Sequence, residues 1–229
     1  MIGRNVFEKI YLSGDNEAAY FNALKPYIDE IEKNILPNVS NDLLSKSPAY
    51  YGISYKKQVE LAISGDFDAL RHVGLLLYDG VYLPKDKPFA LKLLKKMAFG
   101  SNELPTGFNS PAAYSYAKII LKEGDAEKSK RILERLIKTD FSPAFALIGN
   151  IHQYGYGVNP SFKEANKYYN EAQIRGHIYA TALRAKLHLA QSSLIKKLSG
   201  GLLFLCFIWR VVLNELGKNK NDNQWSSFY

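Results

Sequence analysis

Small residues recur in this chain at matched spacings, and that recurrence limits what it can fold into more than any other feature. Ala69, Gly74, Gly80 and Ala90 in "ALRHVGLLLYDGVYLPKDKPFALKLLKKMAFG" are answered, 75 residues on in each case, by Ala144, Gly149, Gly155 and Ala165 in "AFALIGNIHQYGYGVNPSFKEANKYYNEAQIRG". Between the two, "AAYSYAKIILKEGDAEKSKRILERLI" fits as a degenerate copy, with Ala112 and Ala117 at the Ala and Gly positions and a shortened joint at Gly124. The 75-residue shift is therefore two repeat lengths. A final half copy starts at Ala180, where Ala185 replaces the glycine. Upstream, Gly65 stands before Ala69 as Gly176 stands before Ala180.

Each copy reads as two short helices. Segments such as "FALKLLKKMAFG" and "EKSKRILERLIKTD" space apolar residues three and four apart and show no strand-like alternation, and this pattern dominates from about residue 17 onward. Small residues at Ala69, Gly74, Ala144 and Gly149 suit helix surfaces that a neighbouring helix must approach closely, where a large side chain would wedge the pair apart. Gly80, Gly155 and Gly157 can take positive φ and turn the chain between antiparallel helices. Ala90 and Ala165 start the contact face of the second helix, which Leu93 and Leu94, or Tyr168 and Tyr169, fill. Each hairpin leaves an apolar face for the next to cover, so the units must stack.

This pattern resembles the Sel1-like repeat, a helical-hairpin relative of the tetratricopeptide repeat. The residues that carry the resemblance are "IGNIHQYGYGVNPSFKEANKYYNEAQIRG": Ile-Gly, Gly-x-Gly-Val, an Ala before an aromatic pair, then a closing Ala and Gly176. His152 stands where the family usually has Tyr, Ser161 where it often has Asp, and Leu93-Leu94 where Trp-Tyr is usual. The resemblance covers roughly residues 48 to 192. It implies an all-α, right-handed superhelix of hairpins, and a non-catalytic adaptor that presents a concave surface to a protein or peptide, within a bacterium's signalling, envelope or secretion machinery. The expected organisation is an N-terminal helical segment over 1–47, the repeats over 48–197, an apolar helix over 198–216 and a polar tail over 217–229.

The residues give chemistry little support. Gly155-Tyr156-Gly157 lacks the third glycine of a dinucleotide fingerprint and follows no strand pattern. The chain contains no Walker motif, no Gly-x-Ser-x-Gly and no His-Glu-x-x-His. His152 and His188 share a register position in successive copies, yet no third ligand type accompanies them, and a zinc site needs three or four. No catalytic residue, metal or cofactor is assigned. Cys206 is the only cysteine, so no disulfide forms within the chain.

Partner binding is a matter of surface. The net charge of +8 favours acidic partners. Its lysines are spread in pairs such as Lys56-Lys57, Lys95-Lys96 and Lys196-Lys197, which reads as solvated helix faces more than as a nucleic-acid surface. By register, the first helices line the inner face with Arg71 and Leu75, Tyr114 and Lys118, Asn150, and Lys186, and these are the candidate partner-binding residues. The tyrosines at 50, 51, 114, 116 and 154 are expected to fill repeat cores with their hydroxyls reaching solvent.

The C-terminal stretch "LSGGLLFLCFIWRVVLNELGKNKND" breaks the pattern. Leu202, Leu203, Phe204, Leu205, Cys206, Phe207, Ile208 and Trp209 are all apolar, so a helix there is hydrophobic all round and needs cover from protein or lipid. Two alternatives follow: a membrane helix over 198–216, for which Arg210 and Glu215 are unfavourable, or an interface, including one with a copy of itself. Glu8 and Asp15 interrupt any signal-peptide core at the N-terminus, so the expected location is cytoplasmic, or the inner membrane with the repeats in the cytoplasm.

Overall fold

The computed structural model describes residues 14–39, 54–100, 110–177 and 179–216, and every regular element among them is helical. Ten α-helices follow one another: α1 (Gly14–Glu30), α2 (Tyr55–Ile63), α3 (Phe67–Asp79), α4 (Lys87–Phe99), α5 (Ser110–Lys122), α6 (Ala126–Ile137), α7 (Ser142–Tyr154), α8 (Phe162–Ile174), α9 (Ala180–Leu189) and α10 (Leu194–Leu216). A π-helical turn, Ile31–Ile35, and a 3-10 turn, Leu36–Asn38, extend α1. Tyr50, Tyr51 and the polar tail over 217–229 lie outside the described residues. The helices pack in sequential, adjacent pairs, as a helical repeat requires.

The repeat register predicted from the alanines and glycines holds helix by helix. α3 and α7 are each 13 residues long, as are α4 and α8, and each pair is offset by the same 75 positions. The joints match too. Gly80 and Gly155 end their helices in the left-handed region, at φ 71° and 73°, with their N–H groups donating to the carbonyls of Leu76 and Ile151. A side chain there would add strain to a conformation that glycine adopts freely.

One hydrogen bond closes all three complete hairpins. The N–H of Asp86 donates to the Leu77 carbonyl (2.9 Å), that of Asp125 to Ile120 (3.1 Å), and that of Ser161 to His152 (2.8 Å). The same three residues cap the second helices, accepting from the N–H groups of Phe89, Lys128 and Glu164. Ser161 therefore performs the capping that Asp performs elsewhere in the chain.

The chain divides into two compact units, residues 1–116 and 117–229. In the first, α1 lies against α3 and α4: Tyr20 donates from its hydroxyl to the Met97 carbonyl, and Phe21 and Phe67 rings meet at 4.8 Å. Leu24, Val59, Ala69, Leu93, Leu94 and Met97 are fully buried in its core. In the second, Phe145, Ala146, Ala172 and Ala180 form one apolar cluster, and Ala165, Tyr169 and Leu187 a second, with Leu183 packed against both. Side chains of α9 thus cover the face left open by the α7–α8 hairpin.

The small residues sit where helices touch. A Cβ at Gly74 would meet Leu94 at 3.2 Å, and one at Gly149 would run into the Tyr169 ring, so the same pair of positions makes the close contact in both copies. In the degenerate copy Ala117 takes the glycine position. Ser129 replaces the alanine of Ala90 and Ala165, and its buried hydroxyl donates to the Ala117 carbonyl at 2.8 Å.

α10 packs on α9 through Gly200, where a Cβ would come within 2.9 Å of the Ala185 carbonyl oxygen. Among the described residues no helix is long and apolar enough to cross a membrane, so the membrane-crossing expectation for 198–216 is not met. Charge placement is the physical reason. Lys196, Lys197 and Arg210 confine the uncharged stretch to Leu198–Trp209, about 18 Å of helix at 1.5 Å per residue, against a hydrocarbon core of about 30 Å.

Candidate peptide-binding surface

In the second unit one predicted inner-face residue, Lys186, meets Tyr154, a tyrosine expected in a repeat core that is instead exposed. Lys186 on α9 is exposed, whereas its neighbours Ala185 and Leu187 are buried. Its Nζ donates to the Tyr154 hydroxyl at 3.3 Å and lies 6.0 Å from the centre of that ring. Tyr154 ends α7 and is 48% exposed, and Tyr156 in the following joint is 47% exposed, with their rings 5.8 Å apart. The result is a solvent-exposed ammonium bonded to the edge of one phenol, with a second exposed tyrosine beside that ring.

Beneath it the surface is held from the core. The Tyr169 hydroxyl lies 2.7 Å from Asn150 Oδ1 and 2.5 Å from Gln153 Oε1. A phenol carries one proton, so it donates to one carboxamide oxygen while the other amide, turned over, donates N–H to it. Burial, and secondarily Tyr154, pushes Tyr169 above the ordinary tyrosine range, which keeps it protonated and able to donate. Asn150, also predicted for the inner face, is thus fixed in orientation by a core tyrosine.

A further polar layer joins α8 to α9. Arg184 donates from Nη1 to Gln173 Oε1 (2.8 Å) and from Nε to Asn166 Oδ1 (3.3 Å), and burial lowers its guanidinium from the usual value. His188 Nε2 lies 3.0 Å from the same Asn166 oxygen. No periodicity marks these side chains, and sequence reasoning missed them.

His152 and His188 are taken up by different side chains of α8. His152 stacks on Tyr168 at 5.5 Å, its pKa lowered by burial and then by Lys130 against an opposing effect of Glu164. His188 packs against Phe162 at 5.2 Å. Among the described residues no three His, Cys, Asp or Glu side chains group to hold a metal ion.

In the first unit the predicted residues serve differently. Arg71 is buried, donating from Nη1 to the Ser115 hydroxyl at 3.3 Å and from Nη2 toward Asp68 at 3.5 Å. Leu75 is half-buried. Tyr114 is also half-buried, and loss of solvent pushes its phenol up to about 12. Lys118, on the part of α5 that belongs to the second unit, is exposed.

The tyrosines divide by role: Tyr116 and Tyr169 fill cores, whereas Tyr154 and Tyr156 stand out at the surface. Leu203 and Phe207 of the apolar C-terminal run are partly covered on the α9 side, while Leu202, Phe204, Leu205, Ile208 and Trp209 are exposed. Comparison of the chain with family models, with curated proteins and with solved structures finds no match.

Proposed function

We propose that the protein is a non-catalytic scaffold of Sel1-like hairpins, continuing as a right-handed superhelix, and that the Tyr154–Lys186 surface takes an acidic peptide segment of a partner protein. The observation that carries this reading is Lys186 of α9 reaching Tyr154 of α7, an exposed ammonium and phenol hydroxyl on two neighbouring first helices. Support for the repeat comes from the matched helix lengths, the recurrent closing hydrogen bond and the glycine contacts with Leu94 and Tyr169. A lysine and exposed tyrosines side by side suit a carboxylate-bearing peptide, and the net charge of +8 steers such a partner inward.

Selection of a random peptide display library on the purified chain tests this. Enriched peptides are expected to be acidic and to bind Lys186→Glu at least ~10-fold more weakly than the unmodified chain, a change of about 1.4 kcal/mol. Enrichment of nothing, or of peptides indifferent to both Lys186→Glu and Tyr154→Ala, sinks the reading.

A further inference from the structure

The exposed side of α10 carries a seam. Ile195, Leu198, Leu202, Leu205, Trp209 and Val212 follow one another at intervals of three, four, three, four and three residues, and they are between 42% and 79% exposed. That alternation of three and four is the heptad pattern of helices that pair with other helices over several turns. The stripe faces away from α9. Trp209 lies nine residues beyond Gly200, half a turn round at about 100° per residue, and Gly200 is the residue pressed against α9.

Three occupants suit an apolar helix face: lipid, an unrelated protein, or a second copy of the same helix. The positions flanking the stripe decide among them. They hold Ser199, Gly201, Cys206 and Ile208, none of them charged. A helix lying in an anionic membrane surface carries lysine and arginine at the edges of its apolar face. Here Lys196 is turned over the Phe162 ring at 4.4 Å and Arg210 is half-buried, which leaves Lys197 as the one exposed basic side chain among the described residues of α10.

With both flanks neutral, pairing with an identical helix brings no like charges together in a chain of charge +8. Gly201 meets nothing within 4 Å where its Cβ would be, so that flank also admits close approach.

Size agrees. The stripe runs about 26 Å along the helix. With Leu194, Phe204 and Ile208 beside it, it offers apolar surface on the order of 1,000 Å², comparable to the ~800 Å² that each partner contributes to a standard interface and well above the largest apolar patch a monomer ordinarily exposes.

We propose that the Ile195–Val212 stripe is a homodimer interface, in which α10 of one chain pairs with α10 of a second copy. This does not depend on the peptide reading above, since the stripe and the Tyr154–Lys186 surface share no residue.

Light scattering on the size-fractionated full-length chain tests it, together with Leu202→Glu and Leu205→Glu. Both replaced side chains are exposed, so neither is needed for packing on α9. The unmodified chain is expected at dimer mass at micromolar concentration. Each variant is expected at monomer mass with unchanged helical circular dichroism and dimerisation at least 10-fold weaker.

A second measurement leaves the stripe intact. In Trp225→Phe, Trp209 is the only tryptophan, and its emission is expected to shift to the blue as concentration rises through the dimerisation range. A monomeric unmodified chain overturns the proposal. So does a dimer that persists in both variants, or Trp209 emission that ignores concentration while mass doubles. Co-sedimentation of a monomeric chain with phosphatidylglycerol–phosphatidylcholine vesicles, lost in Leu202→Glu, assigns the stripe to lipid and also overturns it.

Discussion

At the scale of single residues, two glycines in equivalent positions make opposite demands on their neighbours. Gly74 faces Leu94, whose flexible branch stands 3.2 Å from an added Cβ, whereas Gly149 faces the rigid Tyr169 ring, which the Cβ would overlap. Exchanging a mid-helix glycine for alanine gains up to about 1 kcal/mol of helix propensity, and overpacking a core costs about 1–3 kcal/mol. Gly74→Ala should therefore be close to neutral. Gly149→Ala should lose about 1–2 kcal/mol in urea unfolding, because moving Tyr169 also breaks its hydrogen bonds to Asn150 and Gln153. The reverse order of stabilities would contradict the shared helix contact.

At the scale of elements, the joint between α6 and α7 shows what the sequence hid. The joints before α3 and α9 carry a glycine of positive φ, Gly65 at 91° and Gly176 at 87°, but before α7 this place is taken by Asp140 at φ 55°. The backbone pattern is unchanged. Asp66, Phe141 and His177 each donate N–H to a carbonyl five residues back.

A non-glycine residue in the left-handed region costs about 1 kcal/mol, less for Asp. The compensating ion pair to Arg175 at 2.9 Å involves a carboxylate that is 80% exposed, so it contributes little. Arg175 keeps Glu171 as a partner and the Phe145 ring beneath it. Asp140→Gly is expected to raise stability by about 0.5 kcal/mol in thermal unfolding, and a clear loss would show that the Arg175 pair matters more than the backbone.

The helices and hairpin joints were legible because their signals are local: helix-period spacing, glycine at the turns, small residues at contacts. Asp140 and Ser129 were not, because each substitutes for a small residue by a hydrogen-bonding device that leaves no spacing of its own. The candidate surface was legible in part. Register placed Lys186 and Asn150 on the first-helix face, but the fate of Arg71 depended on Ser115, more than forty positions away, and burial of a long side chain by a distant partner has no sequence period.

At the scale of the whole molecule, buried imidazoles tie stability to pH. His72, 2.6 Å from Gln58 Oε1 and beside Arg71, and His177 are both buried, and loss of solvent holds each near about 4, below the usual 6.5. The unfolded chain then binds protons that the folded chain refuses. Stability is complete above pH 6.5 and falls as pH drops toward 4, by up to about 1.4 kcal/mol per pH unit for each histidine. Urea midpoints measured across that window should flatten in His72→Gln and His177→Gln relative to the unmodified chain; parallel curves would mean the imidazoles titrate normally.

The apolar α10 was also legible as a run in need of cover, and only its placement on α9 separated a packed side from a seam. The proposed scaffold role depends most on where a partner would sit. Amide chemical-shift mapping with a peptide enriched on the chain addresses this most directly. The account predicts shifts concentrated at Asn150, Tyr154 and Lys186, with Lys163 and Lys167 on the exposed side of α8 unmoved; shifts centred on α8 or α10, with Tyr154 and Lys186 silent, would contradict it.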